Sequence, residues 1–185
     1  MNPSGPVPML SLVIAVYQRP LVLELVLASL LDQTHRDFEV VIADDGSGPE
    51  IARMVETWQG RLGQPLRHVW QEDQGFRKTI IANRAVAAST GAYLVFIDGD
   101  CILHHRFLER HWARRRPGQA LSGRRLFLDE ALTTRLSIKD VTQRRIEWPG
   151  LWWNHVPPHD RRNGFCIPLA YGLRGAGSRR YEILG

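Results

Sequence analysis

The chain has 185 residues, 44% of them hydrophobic and 23% charged, which is the composition of a globular domain with a sizeable core. No apolar run approaches the roughly 20 residues of a membrane span, and two cysteines, Cys101 and Cys166, form neither a disulfide framework nor a CxxC metal pair, so a reducing cytoplasm is the expected setting. The net charge of +5 is uneven: residues 1–100 carry 8 Lys+Arg against 12 Asp+Glu, and residues 101–185 carry 16 against 7. The basic second half could face phosphates, anionic lipid or a second subunit, or it is a solvated arginine-rich surface; without an RNA-binding aromatic motif, a helix-turn-helix pattern or zinc spacing, nucleic acid is not an expected partner.

The opening "MNPSGPVPML" has neither the basic flank nor the apolar stretch of a signal peptide. "LSLVIAVY", Leu10 to Tyr17, is short and β-rich and reads as a buried strand. Pro20 then suits a first helical turn, and "LVLELVLASLLDQ" follows as a helix. "FEVVIA" is a second strand ending in "DDGSG", and "PEIARMVETWQGRLG" a helix stopped by glycine. "LRHVWQ" is a weaker third strand, "FRKTIIANRAVAAST" a helix, and "AYLVFI" a fourth strand whose apolar run predicts burial on both faces. Strands alternating with helices at this spacing predict an α/β fold with a mainly parallel sheet. "HHRFLERHWARRR" reads as a helix, "ALSGRRLFL" as a strand, and "DEALTTRLSI" as a short helix with Asp129 near its start. From Glu147 to Gly177 there is no periodicity, with four prolines and three tryptophans, which predicts a long irregular loop.

In parallel sheets ligands bind beyond the carboxyl ends of the strands. Three polar clusters fall there: Tyr17–Gln18, Asp44–Asp45, and Asp98–Asp100. In "DGD", Gly99 permits a sharp turn that lets both acids approach one ligand. Paired carboxylates repel unless a cation is present, and hard divalent ions take oxygen ligands shared with substrate phosphates. The alternative is a solvated turn whose aspartate caps the next helix. "ADDGSG" has the same two readings, since a sheet-edge aspartate can accept a hydrogen bond from an imide N–H. Arg77 and Lys78 open a helix, where a cation opposes the helix dipole unless an anionic ligand sits there. Asn83 stands mid-helix, where it either reaches the sheet edge or satisfies a buried backbone group. His104 and His105 are a second metal-ligand pair or surface residues at a helix start. Trp148, Trp152 and Trp153 suit stacking on an apolar ring face or a core patch, and Cys101 suits packing.

The ordered set "SLVIAVYQRP", "QTHRDFEVVIADDGSG" and "QGFRKTIIANRAVAASTGAYLVFIDGDC" resembles the family 2 glycosyltransferases of the GT-A fold. Its "GFRK…ANRA…G.YLVF.DGDC" run resembles the chondroitin-polymerase-like and galactosyltransferase-like branch. The resemblance covers about residues 9–112. It implies one GT-A-like domain over residues 1–185, residues 1–116 forming the nucleotide-sugar half and 117–185 a partial acceptor side. By that resemblance Ala15 to Tyr17 pack around the base, with Ala15 where many members have proline or threonine. Asp45, with Asp44 beside it, matches the carboxylate that reads uracil, and Arg77 and Lys78 match a basic loop near the nucleotide. Asp98 and Asp100 match a DxD motif, Asp98 nearer the ribose and Asp100 a ligand of Mn²⁺ or Mg²⁺. The implied chemistry is inverting transfer from a UDP-sugar to a saccharide or other hydroxyl acceptor. Family members carry their acidic base beyond the position of "RRYEILG". No residue here matches that base, and Glu147, Asp160 and Glu182 are candidates by elimination alone, so a donor-binding half without turnover, a truncated domain, or a partner for a separate subunit is the alternative expectation. The expected setting is cytoplasmic, with a peripheral membrane contact for the basic half.

Overall fold

The computed structural model describes residues 10–123 and 125–161. The chain divides into two compact units, Met1–Glu109 and Arg110–Gly185. In the first, β1 (Leu10–Val16), β2 (Phe38–Asp44), β3 (Leu66–Trp70) and β4 (Tyr93–Asp98) form one sheet in the order β3-β2-β1-β4. Every pairing is parallel, with Leu10 opposite Phe38 and Tyr93, and Val40 opposite Leu66. β1 and β2 each have a strand on both sides, and all their residues but Ala15 are buried, in keeping with their mainly apolar runs. β4 corrects the expectation of burial on both faces. It is an edge strand, only Val95 is buried, and Phe96 is 55% exposed. An apolar β-rich run records affinity for a sheet, not a place at its centre.

Three helices cross between the strands: α1 (Pro20–Ala28), α2 (Pro49–Leu62) and α3 (Lys78–Ala88). Proline starts α1 and α2, where its missing N–H costs no helix bond. α2 buries Ile51, Val55, Trp58 and Leu62, one stripe at helical spacing, and ends at Gly63 with φ +72°. α3 begins at Lys78, later than the sequence suggests, since Phe76 belongs to the preceding loop and is 89% exposed. Its Ile81 and Ala85, one turn apart, pack with Val13, Val41 and Ala43 of the sheet.

At the amino ends of the strands a buried polar network fixes the entry to β4. Glu39 is wholly buried, and its Oε1 accepts from Ser11 Oγ (2.7 Å), Thr90 N (2.5 Å) and Thr90 Oγ1 (2.9 Å). Gly91 N donates to Ser11 Oγ at 2.8 Å. A Cβ on Gly91 would fall 2.6 Å from Ser11 N, so this turn lies directly on the β1 backbone. After β4 the chain is anchored on the carboxyl end of α1. The buried amide of Gln33 donates to Ser29 O and His104 O, and its carbonyl accepts from Leu108 N. α4 (Phe107–Arg114) follows, later than expected, because His104 and His105 form the turn before it.

The second unit contains α5 (Glu130–Arg135), α6 (Ile138–Thr142) and α7 (Pro149–Trp152). Asp129 caps α5 through Leu132 N at 2.8 Å, and Ser137 with Asp140 forms a capping box on α6. Leu132 and Val156 centre a small apolar cluster that takes in Leu126, Leu128, Leu136 and Leu151. The strand expected over 120–128 is absent among the described residues, and Leu126 and Leu128 pack into this cluster from irregular chain instead. Part of the expected irregular loop also differs: Arg145–Glu147 and Trp153–His155 are 3₁₀ turns on either side of α7. Residues 162–177 of that stretch, with Cys166 and Glu182, lie outside the described residues.

Candidate nucleotide-sugar site

The carboxyl ends of β1, β2 and β4 form one rim. Asp45 N donates to Val16 O (2.9 Å), and Gly99 N donates to Ala15 O (2.8 Å), so the turns carrying Asp45 and Asp98–Asp100 are both bonded to the end of β1. Ala15 thus serves the rim through its carbonyl. A Cβ on Gly99 would lie 3.0 Å from that oxygen, so the turn hugs the strand. Cys101 N closes it onto Asp98 O at 3.1 Å.

The two aspartates of "DDGS" have separate surroundings. Asp44 is fully buried, and its carboxylate accepts from Ser47 N (2.8 Å) and bonds His68 Nε2 (2.8 Å). Its contacts shape the turn. Asp45 is 6% exposed, and its oxygens accept from Gln71 Nε2 (2.5 Å) and Arg77 N (2.8 Å). These bonds draw the end of β2, the end of β3 and the start of α3 around one carboxylate. Gly46 between them has φ +98°, and a Cβ there would fall 2.5 Å from Asp73 Cα, so glycine is required by both conformation and space.

Tyr17 is 55% exposed and its hydroxyl donates to Asp73 Oδ2 at 3.0 Å. That hydrogen bond, with the charge of Asp73, holds the phenol above its ordinary pKa. Gln18 and Arg19 follow with φ +55° and +58°, and Gln18 N donates to Ser47 Oγ at 2.8 Å. The Arg77 guanidinium donates to Glu72 O at 2.6 Å and ties the 72–77 loop to itself. Lys78 Nζ forms an ion pair with Asp98 Oδ1. Ligand atoms of Asp98, Asp100 and Cys101 lie within 4.8 Å of one another. Two hard carboxylate oxygens at that spacing fit Mg²⁺ or Mn²⁺, whereas the thiol is a soft donor.

The structure therefore brings Ala15, Tyr17, Asp45, Arg77, Lys78 and Asp98–Asp100 to one rim, with Asp44 buried beneath it. Asn83 is exposed within α3, which excludes the buried alternative, and it makes none of the hydrogen bonds that join the rim residues described above. The rings of His104 and His105 stack at 4.4 Å in the turn before α4. In the second unit Trp148 is 72% exposed and Trp153 lies 4.9 Å from the Arg161 guanidinium, so neither is core. Gln71, Asp73, Ser47 and His68 were not singled out from the sequence. Gln71 had a readable signal, for it is the polar residue just after β3, as Asp44 ends β2 and Asp98 ends β4.

The parallel sheet with its flanking helices is the fold of GT-A glycosyltransferase domains. A mannosyltransferase from Pyrobaculum calidifontis shares this fold, with a TM-score of 0.53 and 21% identity over 64% of this chain and 36% of that one. The chain belongs to glycosyl transferase family 2, whose model matches residues 11–171. Its curated relatives include validoxylamine A glucosyltransferase of Streptomyces hygroscopicus subsp. jinggangensis, 37% identical over 94 residues, 50% of this chain and 22% of that protein. The chondroitin synthase of Escherichia coli is 35% identical over 92 residues, 49% of this chain and 13% of that protein. The matched segment is thus less than a quarter of either relative.

Proposed function

We propose that the chain binds a UDP-sugar with Mn²⁺ or Mg²⁺ and transfers the sugar, with inversion, to the hydroxyl of a saccharide or other acceptor. The observation that carries this reading is the gathering of Asp45, Lys78 and Asp98–Asp100 around the end of β1. Asp45 is held rigid by Gln71 and Arg77, and its oxygens retain lone pairs for an imide N–H of the base. The exposed ring of Tyr17 flanks the base, and Lys78 lies within reach of a pyrophosphate. A divalent cation held by Asp100, with Asp98 beside it, would offset charge on the departing diphosphate. The mannosyltransferase of the same fold is described with GDP-Man and Mn²⁺, a nucleotide-sugar and a cation together. In this reading the protein works at the cytoplasmic side, its basic second half against the membrane face or a second subunit.

A second reading, a nucleotide-sugar-binding module without turnover, is favoured by the state of the rim acids. Asp44 is taken by Ser47 and His68, Asp45 by Gln71 and Arg77, and Asp98 by Lys78. A general base must reach the attacking hydroxyl. Calorimetry with UDP, GDP and their sugars, with and without Mn²⁺, tests the shared part. Saturable UDP binding that needs the cation and is lost in Asp100→Ala is expected, and no heat under either condition overturns both readings. Donor hydrolysis or transfer by the purified chain separates the first from the second.

A further inference from the structure

Lys78 is the first residue of α3, where a cation meets the positive end of the helix dipole. Its ammonium is drawn instead to Asp98 Oδ1 at the end of β4. That carboxylate lies beside Asp100, and two such groups repel unless positive charge stands by them. Lys78 brings such a charge to Asp98. The side chains of the pair are 44% and 39% exposed, so water screens the bond and it exchanges readily.

We propose that Lys78 is a placeholder for the divalent cation. Without nucleotide, its ammonium neutralises Asp98 and competes with the cation for the aspartate pair. When a nucleoside diphosphate binds, Lys78 passes to the pyrophosphate and releases Asp98. This rests on the nucleotide-sugar reading of the site. It makes cation and nucleotide binding mutually reinforcing, with the same coupling factor in either direction.

The test measures free Mn²⁺ by electron paramagnetic resonance, titrated into the 185-residue chain with and without saturating UDP. Wild type is compared with Lys78→Met, which keeps the length of the side chain without its charge, and with Lys78→Arg, which keeps the charge. Without UDP, Lys78→Met binds Mn²⁺ about three- to tenfold tighter than wild type, the sum of a lost exposed ion pair and a lost like-charge repulsion. The enhancement of Mn²⁺ affinity by UDP falls at least about threefold in Lys78→Met and is kept in Lys78→Arg. Equal or weaker Mn²⁺ binding by Lys78→Met without UDP, or an unchanged enhancement, overturns the placeholder role while leaving the site reading intact. A wild type whose Mn²⁺ affinity does not respond to UDP or GDP overturns the site reading itself. Matching melting temperatures of the three proteins exclude a folding defect as the source of any change. A variant that does not fold is replaced by Lys78→Gln, judged by the same two comparisons.

Discussion

Replacing Glu39 by alanine removes a carboxylate that is wholly buried near the start of β2 and strands the groups that donate to it. Ser11 Oγ and the Thr90 amide lose the acceptor described above; the hydroxyl of exposed Thr90 turns to water, Gly91 N keeps Ser11 Oγ, and Arg67, 42% exposed, keeps Ala88 O. Two stranded donors at about 1–3 kcal/mol each give a loss of about 2–6 kcal/mol, a large share of the stability of a typical domain. With a urea slope of about 2 kcal/mol per molar, the unfolding midpoint falls by about 1–3 M. The same network sets a pH dependence. Burial pushes the Glu39 carboxyl up, but hydrogen bonds from Ser11 and Thr90, with the charge of Arg67, outweigh it and hold the group below its ordinary value. A carboxyl whose folded pKa is depressed stabilises fully above its unfolded value, near 4.3, and that stability is lost as pH falls through the folded value. Glu39→Gln keeps one carbonyl acceptor, destabilises less than alanine, and flattens the acid-range slope. Urea titrations at several pH values read all three proteins. A midpoint for Glu39→Ala within about 0.3 M of wild type, or an unaltered acid slope in Glu39→Gln, refutes the network's role.

Gly46→Ala combines a left-handed φ with a Cβ 2.5 Å from Asp73 Cα, so it should cost at least about 2 kcal/mol in urea melts and dislodge Asp73 from Tyr17; wild-type stability would show that the turn yields freely. Gln71→Met removes the donor to Asp45 and leaves a buried carboxylate oxygen without it, so a loss of about 1–3 kcal/mol is expected, within what a folded domain tolerates. UDP affinity in calorimetry should nevertheless fall about tenfold, and equal affinity would remove Gln71 from the site. Asp73→Asn takes away the charge that holds the Tyr17 phenol up, so an ultraviolet pH titration should show one tyrosine moving down in pH; no movement contradicts the pairing.

The sheet was legible because its signal is local. Apolar runs of strand length, interrupted by Pro20, Pro49 and Gly63, fix what each segment becomes, and short connections leave few topologies. The place of β4 at the edge was not legible, since the burial of Phe96 depends on a neighbour that no local pattern encodes. At the rim, the acids at strand ends could be listed from the sequence, but their division of labour could not. Asp44 and Asp45 are adjacent in the chain, yet one turns toward His68 and the other toward Gln71, a choice set by the alternation of side chains at the end of β2 and by a third strand. The stretch 120–128 misled for a related reason. Leu126 and Leu128 have strand-like spacing, but the small cluster around Leu132 recruits them without a sheet.

The corner at Gln18 and Arg19 has a consequence for how the molecule loosens. Two successive non-glycine residues in the left-handed region cost about 1–2 kcal/mol each, and among their restraints is the bond from Gln18 N to Ser47 Oγ. Tension of that kind is released early on warming. Amide hydrogen exchange at residues 18 and 19 should outpace that of β1 just before them, so this corner would come undone at temperatures where the central strands are still protected.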